Sequence, residues 1–125
     1  MALLYSEGVL GGRITANRFV ELTATNPAKA GGLHPRKGSI TIGGDSDLVV
    51  WDIGERIIRN RDLHHAVDYT PNEGMRLRAW PGMTILRGEL LWDGTHCLTG
   101  SAGGQFLPCA RPSLLPTPAN PTTFP

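Results

Sequence analysis

The sequence predicts an α+β chain, helical near its start, β-rich after that, and ending in a proline tail. Three observations lead there. Apolar residues recur at three- and four-residue steps across Ile14 to Thr25, the period of one helix face. From Ser39 onward the apolar period shortens to two, with turn residues between short runs. Residues 108–125 then hold six of the ten prolines and a single charge, Arg111.

Residues 1–13, with Gly8, Gly11 and Gly12, show no clear period and are expected to form a loop. Thr15 is placed to cap the helix, because its hydroxyl can accept a free N–H of the first turn. Ile14 before the cap and Phe19 after it have the spacing of a hydrophobic staple. Ala16, Phe19, Val20, Thr23 and Ala24 share the buried face. Asn26-Pro27 should break the helix, since the residue before proline avoids the α region. Asn26 would then cap a short second helix that Gly31-Gly32 ends.

Ser39 to Ile42 alternates as a strand does, and Gly43-Gly44-Asp45 turns the chain. Leu48-Val49-Val50-Trp51 is a continuous apolar run, expected to be a strand buried on both faces. Glu55 to Asn60 is expected as a further strand, and 61–74 as a loop. Met75 to Trp80 alternates, with Arg76 and Arg78 on a solvated outer face. Pro81-Gly82 should turn the chain. Met83–Leu86 and Glu89–Trp92 then form a hairpin across Arg87-Gly88, closed by Asp93-Gly94. The tail is expected to be extended or disordered, because so many prolines exclude a helix and leave little to bury.

The totals exclude several functions. The 125 residues have room for one modest domain, with a formal net charge of +1 from 12 Lys+Arg against 11 Asp+Glu. Such balance argues against binding to nucleic acid or a membrane surface through bulk charge. Two cysteines, Cys97 and Cys109, are too few for a disulfide scaffold, and no CxxC pair exists. The opening residues lack the basic start of a secretory signal, and no apolar stretch approaches a membrane span. A soluble, reducing, cytoplasmic setting is the expectation.

Side chains with chemical potential are present but do not form a set. His64-His65 are adjacent, so their rings diverge on a strand or a helix. His34 precedes a proline, and His96 neighbours Cys97 with side chains that point apart in extended chain. Asp45-Ser46-Asp47 starts like a calcium loop, but Val50 stands where the obligatory glycine belongs. A turn with solvated carboxylates is expected instead. Lys37-Gly38-Ser39 lacks the order and the leading strand of a phosphate loop. No nucleophile with its base, paired acid and base, metal set or phosphate cradle emerges from spacing.

The order of segments says more. Leu4-Tyr5-Ser6-Glu7-Gly8-Val9 comes first, then Asn17-Arg18-Phe19-Val20-Glu21-Leu22, then Thr25-Asn26-Pro27-Ala28-Lys29. Pro35-Arg36-Lys37-Gly38-Ser39-Ile40 and Gly43-Gly44-Asp45-Ser46-Asp47-Leu48-Val49-Val50 follow. The series runs on through His64-His65, Asp68-Tyr69-Thr70-Pro71-Asn72-Glu73-Gly74-Met75 and Arg87-Gly88-Glu89. These segments resemble the C-terminal part of the dihydropyrimidinase and D-hydantoinase (phenylhydantoinase) family of amidohydrolases, over about residues 4 to 107. His34, often Tyr in the family, and Gly103-Gly104-Gln105-Phe106 depart from its pattern.

The resemblance implies a cyclic-amide hydrolase that opens dihydropyrimidine or hydantoin rings at a C–N amide bond. It implies a TIM barrel with two zinc ions, a small β-sandwich, and a homotetramer. On that reading, residues 1–38 end the barrel domain with its closing helices, 39–107 are strands of the sandwich, and 108–125 are the tail. The partners are the rest of the same enzyme chain and further copies, with no nucleic acid and no membrane. The family's zinc ligands lie upstream and have no matching motif here. Lys29 and Lys37, the only lysines, match other segments than the bridging lysine. No catalytic, cofactor-binding or metal residue is therefore assigned, and the chain alone is expected to be inactive and to bind no zinc. A non-catalytic dihydropyrimidinase-related assembly protein is the alternative. Either way, the isolated chain should expose apolar faces.

Overall fold

The computed structural model describes residues 1–98 and 104–113. Helical segments come first and a three-stranded antiparallel sheet follows. Helix α1 spans Ala16–Val20, a π-helical turn spans Glu21–Thr25, and helix α2 spans Asn26–Ala30. Strand β1 is Leu48–Ile57, β2 is Arg76–Leu86 and β3 is Glu89–Trp92, in the order β1-β2-β3.

Thr15 caps α1 as its hydroxyl predicted, accepting the Arg18 N–H at 3.1 Å. Phe19 on that helix is only 4 % exposed. Its ring meets Tyr5 edge-on at 5.0 Å and Trp51 edge-on at 5.7 Å, while Tyr5 stacks on Trp51 at 4.4 Å. Three aromatic rings thus join the helices to β1, an arrangement that adds geometric preference to plain burial.

Residues 1–13 are a loop only at their end, in the turn of residues 10–13. The segment Leu4–Val9 is a π-helix. Tyr5 gains burial against Phe19 and Trp51, which local sequence does not show. Ser6 is fully buried, and its hydroxyl accepts the Arg78 N–H at 2.9 Å while its carbonyl accepts Arg78 Nη2 at 3.1 Å. Arg78 stands on the exposed outer face as expected, and its backbone and guanidinium also tie the first helical segment to β2.

Asn26-Pro27 does not break the helix. Asn26 has helical φ and ψ, and its N–H reaches five residues back to the Glu21 carbonyl. Pro27 then falls in the first turn of α2, directly after the π-helical turn, where its fixed φ suits the helix. Asn26 is thus inside the helical run and not a cap. Gly31-Gly32 ends the run as expected, with Gly32 at φ 66°.

Ser39 to Ile42 forms no strand, and Ile40 and Ile42 stand in solvent. An alternating run with no partner strand has nothing to bury. Leu48–Trp51 does form a strand, but it is not buried on both faces: Val49 and Val50 are exposed. Among the described residues β1 pairs only with β2, so its outer edge is open. Of the expected separate strand at Glu55–Asn60, Glu55 to Ile57 is instead the end of β1, continued through an irregularity between Ile53 and Arg56, and Asn60 starts a 3-10 turn.

Pro81-Gly82 does not turn the chain either. Trp51 pairs with Pro81 and Val50 with Met83, so Gly82 is an extra residue bulged out of β2. A proline inside a sheet needs such a break in the ladder. The strand read as Met83–Leu86 is consequently the second half of β2. The Arg87-Gly88 hairpin forms as predicted, both residues at positive φ, 49° and 86°. Strict alternation also holds, with Leu77 and Ala79 fully buried between exposed Arg76 and Arg78.

Part of the tail is ordered against the helices. The Ala110 N–H donates to the Gly32 carbonyl at 2.8 Å and Ser113 N–H to the Lys29 carbonyl at 3.2 Å. Residues 114–125 of the predicted tail lie outside the described residues, as do 99–103.

Candidate functional site

Two places concentrate polar chemistry. The first is an open groove of about 600 Å³ on the sheet, lined among others by Arg56, Asp62, His64, Trp80, Trp92 and Thr95. Arg56 comes from β1 and holds its guanidinium 5.0 Å from the Trp80 ring centre, a cation–π distance. His64 comes from the loop after β1 and meets Trp92 edge-on at 5.1 Å. Asp93 closes the end of β3 by accepting the backbone N–H groups of His96 and Thr95, at 2.7 and 2.8 Å.

The second place is the loop between α2 and β1. Lys37 Nζ lies 2.8 Å from Asp45 Oδ2 and is hydrogen-bonded to Asp47 Oδ2 as well. Arg36 Nε adds a contact to Asp45 at 3.1 Å. The other Asp47 oxygen accepts the Arg87 N–H at 2.9 Å, across to the hairpin. Asp45 and Asp47 are thus paired carboxylates, not the solvated ones the turn suggested. The Lys37 and Asp45 side chains retain only 17 % and 14 % exposure, which explains why each needs the other.

The pKa directions follow. Asp45 is lowered, first by its hydrogen bond to Lys37 and further by Arg36. Lys37 is raised, because its bonds to Asp45 and Asp47 outweigh a burial effect that pulls the other way. Asp93 is lowered to about 2 by the N–H groups of His96 and Thr95. A carboxylate held low in the folded state stabilises it above the ordinary value near 4, and that contribution fades as pH falls through the folded value. The urea midpoint should therefore drop as pH is taken from about 4 toward 2. Asp93→Ala should flatten that slope, and an unchanged slope would remove Asp93 from the account.

Neither place holds a catalytic set. His64 is engaged with Trp92, and His65 beside it is exposed. His34 lies at the start of the Lys37 loop, and His96 Nδ1 is 3.6 Å from Asp93 Oδ2 at the far end of the sheet. Cys97 and Cys109 are exposed free thiols. Among the described residues no three His, Cys, Asp or Glu side chains come together to hold a metal. The residues present do not fit a two-zinc centre. Sequence reading missed the Arg56–Trp80 pair, whose only signal was that both lie on strands.

Comparison with known proteins decides the kinship. The sequence model of the Amidohydrolase family matches residues 1–91. This chain belongs to the amidohydrolase family. It is 41 % identical to D-hydantoinase of Geobacillus stearothermophilus over 112 residues, 89 % of this chain and 24 % of the relative. It is 46 % identical to D-phenylhydantoinase of Escherichia coli (strain K12 / DH10B) over 110 residues, 86 % of this chain and 23 % of that one. The crystal structure of dihydropyrimidinase from Brevibacillus agri NCHU1002 superposes with a TM-score of 0.74 at 37 % identity, covering 78 % of this chain and 21 % of that one. The hydantoinase and dihydropyrimidinase resemblance read from Leu4 onward is thus borne out. This amidohydrolase chain spans about a quarter of the length of the curated relatives it matches. No helix among the described residues is long and apolar enough to cross a membrane.

Proposed function

We propose that this chain is the C-terminal part of a cyclic-amide hydrolase, one that opens hydantoin or dihydropyrimidine rings at a C–N amide bond. The observation that carries the reading is the identity to the hydantoinases across nearly nine-tenths of the chain. On this reading residues 1–38 close a barrel domain and 39–107 belong to a small sandwich. The groove on the sheet and the open edge of β1 would then be covered by the rest of the enzyme. Zinc would be held outside these residues, since their donors do not converge. The chain alone is then catalytically silent, and the full-length enzyme is a homo-oligomer of cytoplasmic type.

The test is to express the genomic reading frame with the codons upstream of Met1, beside the 125-residue chain. Each product is assayed with zinc on hydantoin and dihydrouracil. The extended product should open a ring, and the short chain should show no turnover above buffer. Turnover by the short chain overturns its silence. An extended product with no ring-opening activity overturns the hydrolase reading in favour of an assembly protein.

A further inference from the structure

The Lys37 cluster has no part in the proposed reaction, yet it lies where the helices meet the sheet. Consider what orders the segment from 39 to 47. Its two large apolar residues, Ile40 and Ile42, are exposed, so apolar burial does not hold it. Its contacts are polar. Asp45 N–H donates to the Arg36 carbonyl at 2.9 Å, and the Ser39 hydroxyl donates to the Pro35 carbonyl at 3.0 Å. Ser46 accepts the Gly88 N–H at 3.1 Å, and Asp47 accepts the Arg87 N–H. At the near end, the Thr25 hydroxyl bonds the Gly38 carbonyl at 2.7 Å, fixing the loop to the helical run.

Lys37 is the common member. One ammonium reaches both Asp45 and Asp47, so it bridges two carboxylates that would otherwise repel across a turn, with Arg36 adding a second positive charge at Asp45. Without it, Asp47 would have less reason to stay under the hairpin. We propose that Lys37 with Asp45 and Asp47 is a charge latch that locks the segment 39–47 between α2 and the Arg87-Gly88 hairpin. A separate joint holds the helices to the sheet elsewhere, through Ser6 and Arg78 and through the aromatic rings. Opening the latch should free the loop and the hairpin turn while leaving that joint closed. This is local release, not unfolding.

Hydrogen exchange on the 125-residue chain separates the two. In Lys37→Met, the amides of Asp45, Arg87 and Gly88 should exchange roughly tenfold faster, and the Arg78 amide, bonded to Ser6, should stay within about twofold of the parent. Asp47→Ala should reproduce the change at Arg87 and Gly88. Lys37→Arg should restore part of the protection, because it keeps the charge. Unchanged exchange at all four amides overturns the latch. So does an equal acceleration at Arg78, which would mean that Lys37 supports the whole fold. Glu21→Gln, which breaks the exposed Arg18–Glu21 pair on α1, should leave all four amides as they are.

Discussion

Replacing Phe19 with alanine should cost about 3–5 kcal/mol of stability, the usual range for emptying a buried aromatic site. The ring is almost fully buried and lies edge-on to both Tyr5 and Trp51. Its removal loses its own apolar burial and leaves a cavity beside the stacked Tyr5–Trp51 pair. Those rings come from the first helical segment and from β1, so relaxation to fill the space would move an element. Small domains are stable by only about 5–15 kcal/mol in total, so the variant should be near unfolding at room temperature. Urea unfolding followed by tryptophan fluorescence measures it. A loss below about 1 kcal/mol would show that the aromatic joint does not hold the helices to the sheet.

The second large effect is at Gly38. Its φ is 77°, and a Cβ there would stand 2.6 Å from the Ala24 carbonyl oxygen and 2.6 Å from the Ala28 Cβ. Both obstacles are helix backbone or a methyl fixed to it, so neither can swing aside. Gly38→Ala should therefore cost about 2–4 kcal/mol, from overpacking added to left-handed strain. Gly88→Ala is the control, with φ 86° and no atom within 4 Å of the new Cβ. It should cost only the conformational part, about 1–2 kcal/mol. Equal losses at both positions would show that the close approach to the helices adds nothing.

Gly38 also shows how far local reading reaches. Lys37-Gly38-Ser39 in sequence invites comparison with a phosphate loop and fails it. The structure assigns Lys37 to two aspartates and Gly38 to a tight contact with the helical run. Both partners of Lys37 are eight or more positions away, and spacing alone does not pair them. Elements with a local cause were legible: the Thr15 cap, the Arg87-Gly88 turn and the alternation of Leu77 and Ala79. Elements whose cause is a distant partner were not. Leu4–Val9 folds as a helix although the glycines of residues 1–13 suggest a loop, and Pro81 stays in a strand because a bulge absorbs it. Of the candidate site, the pairing of Lys37 with Asp45 and Asp47 and that of Arg56 with Trp80 were not legible, since each joins residues that only the fold brings together.

The sequence by itself determined the kinship, the succession of helix and strand, and the absence of a recognisable catalytic motif. Those follow from residue order, period and side-chain type, which are properties of the chain before it folds. Only the tertiary structure decided which apolar runs are covered. Leu48–Trp51 looks like a core strand and is half open, while the polar Ser6 is fully buried. The reason is that burial belongs to a pair of surfaces: apolar side chains that no described residue covers stay wet, and a serine that accepts the Arg78 N–H is free to go inside.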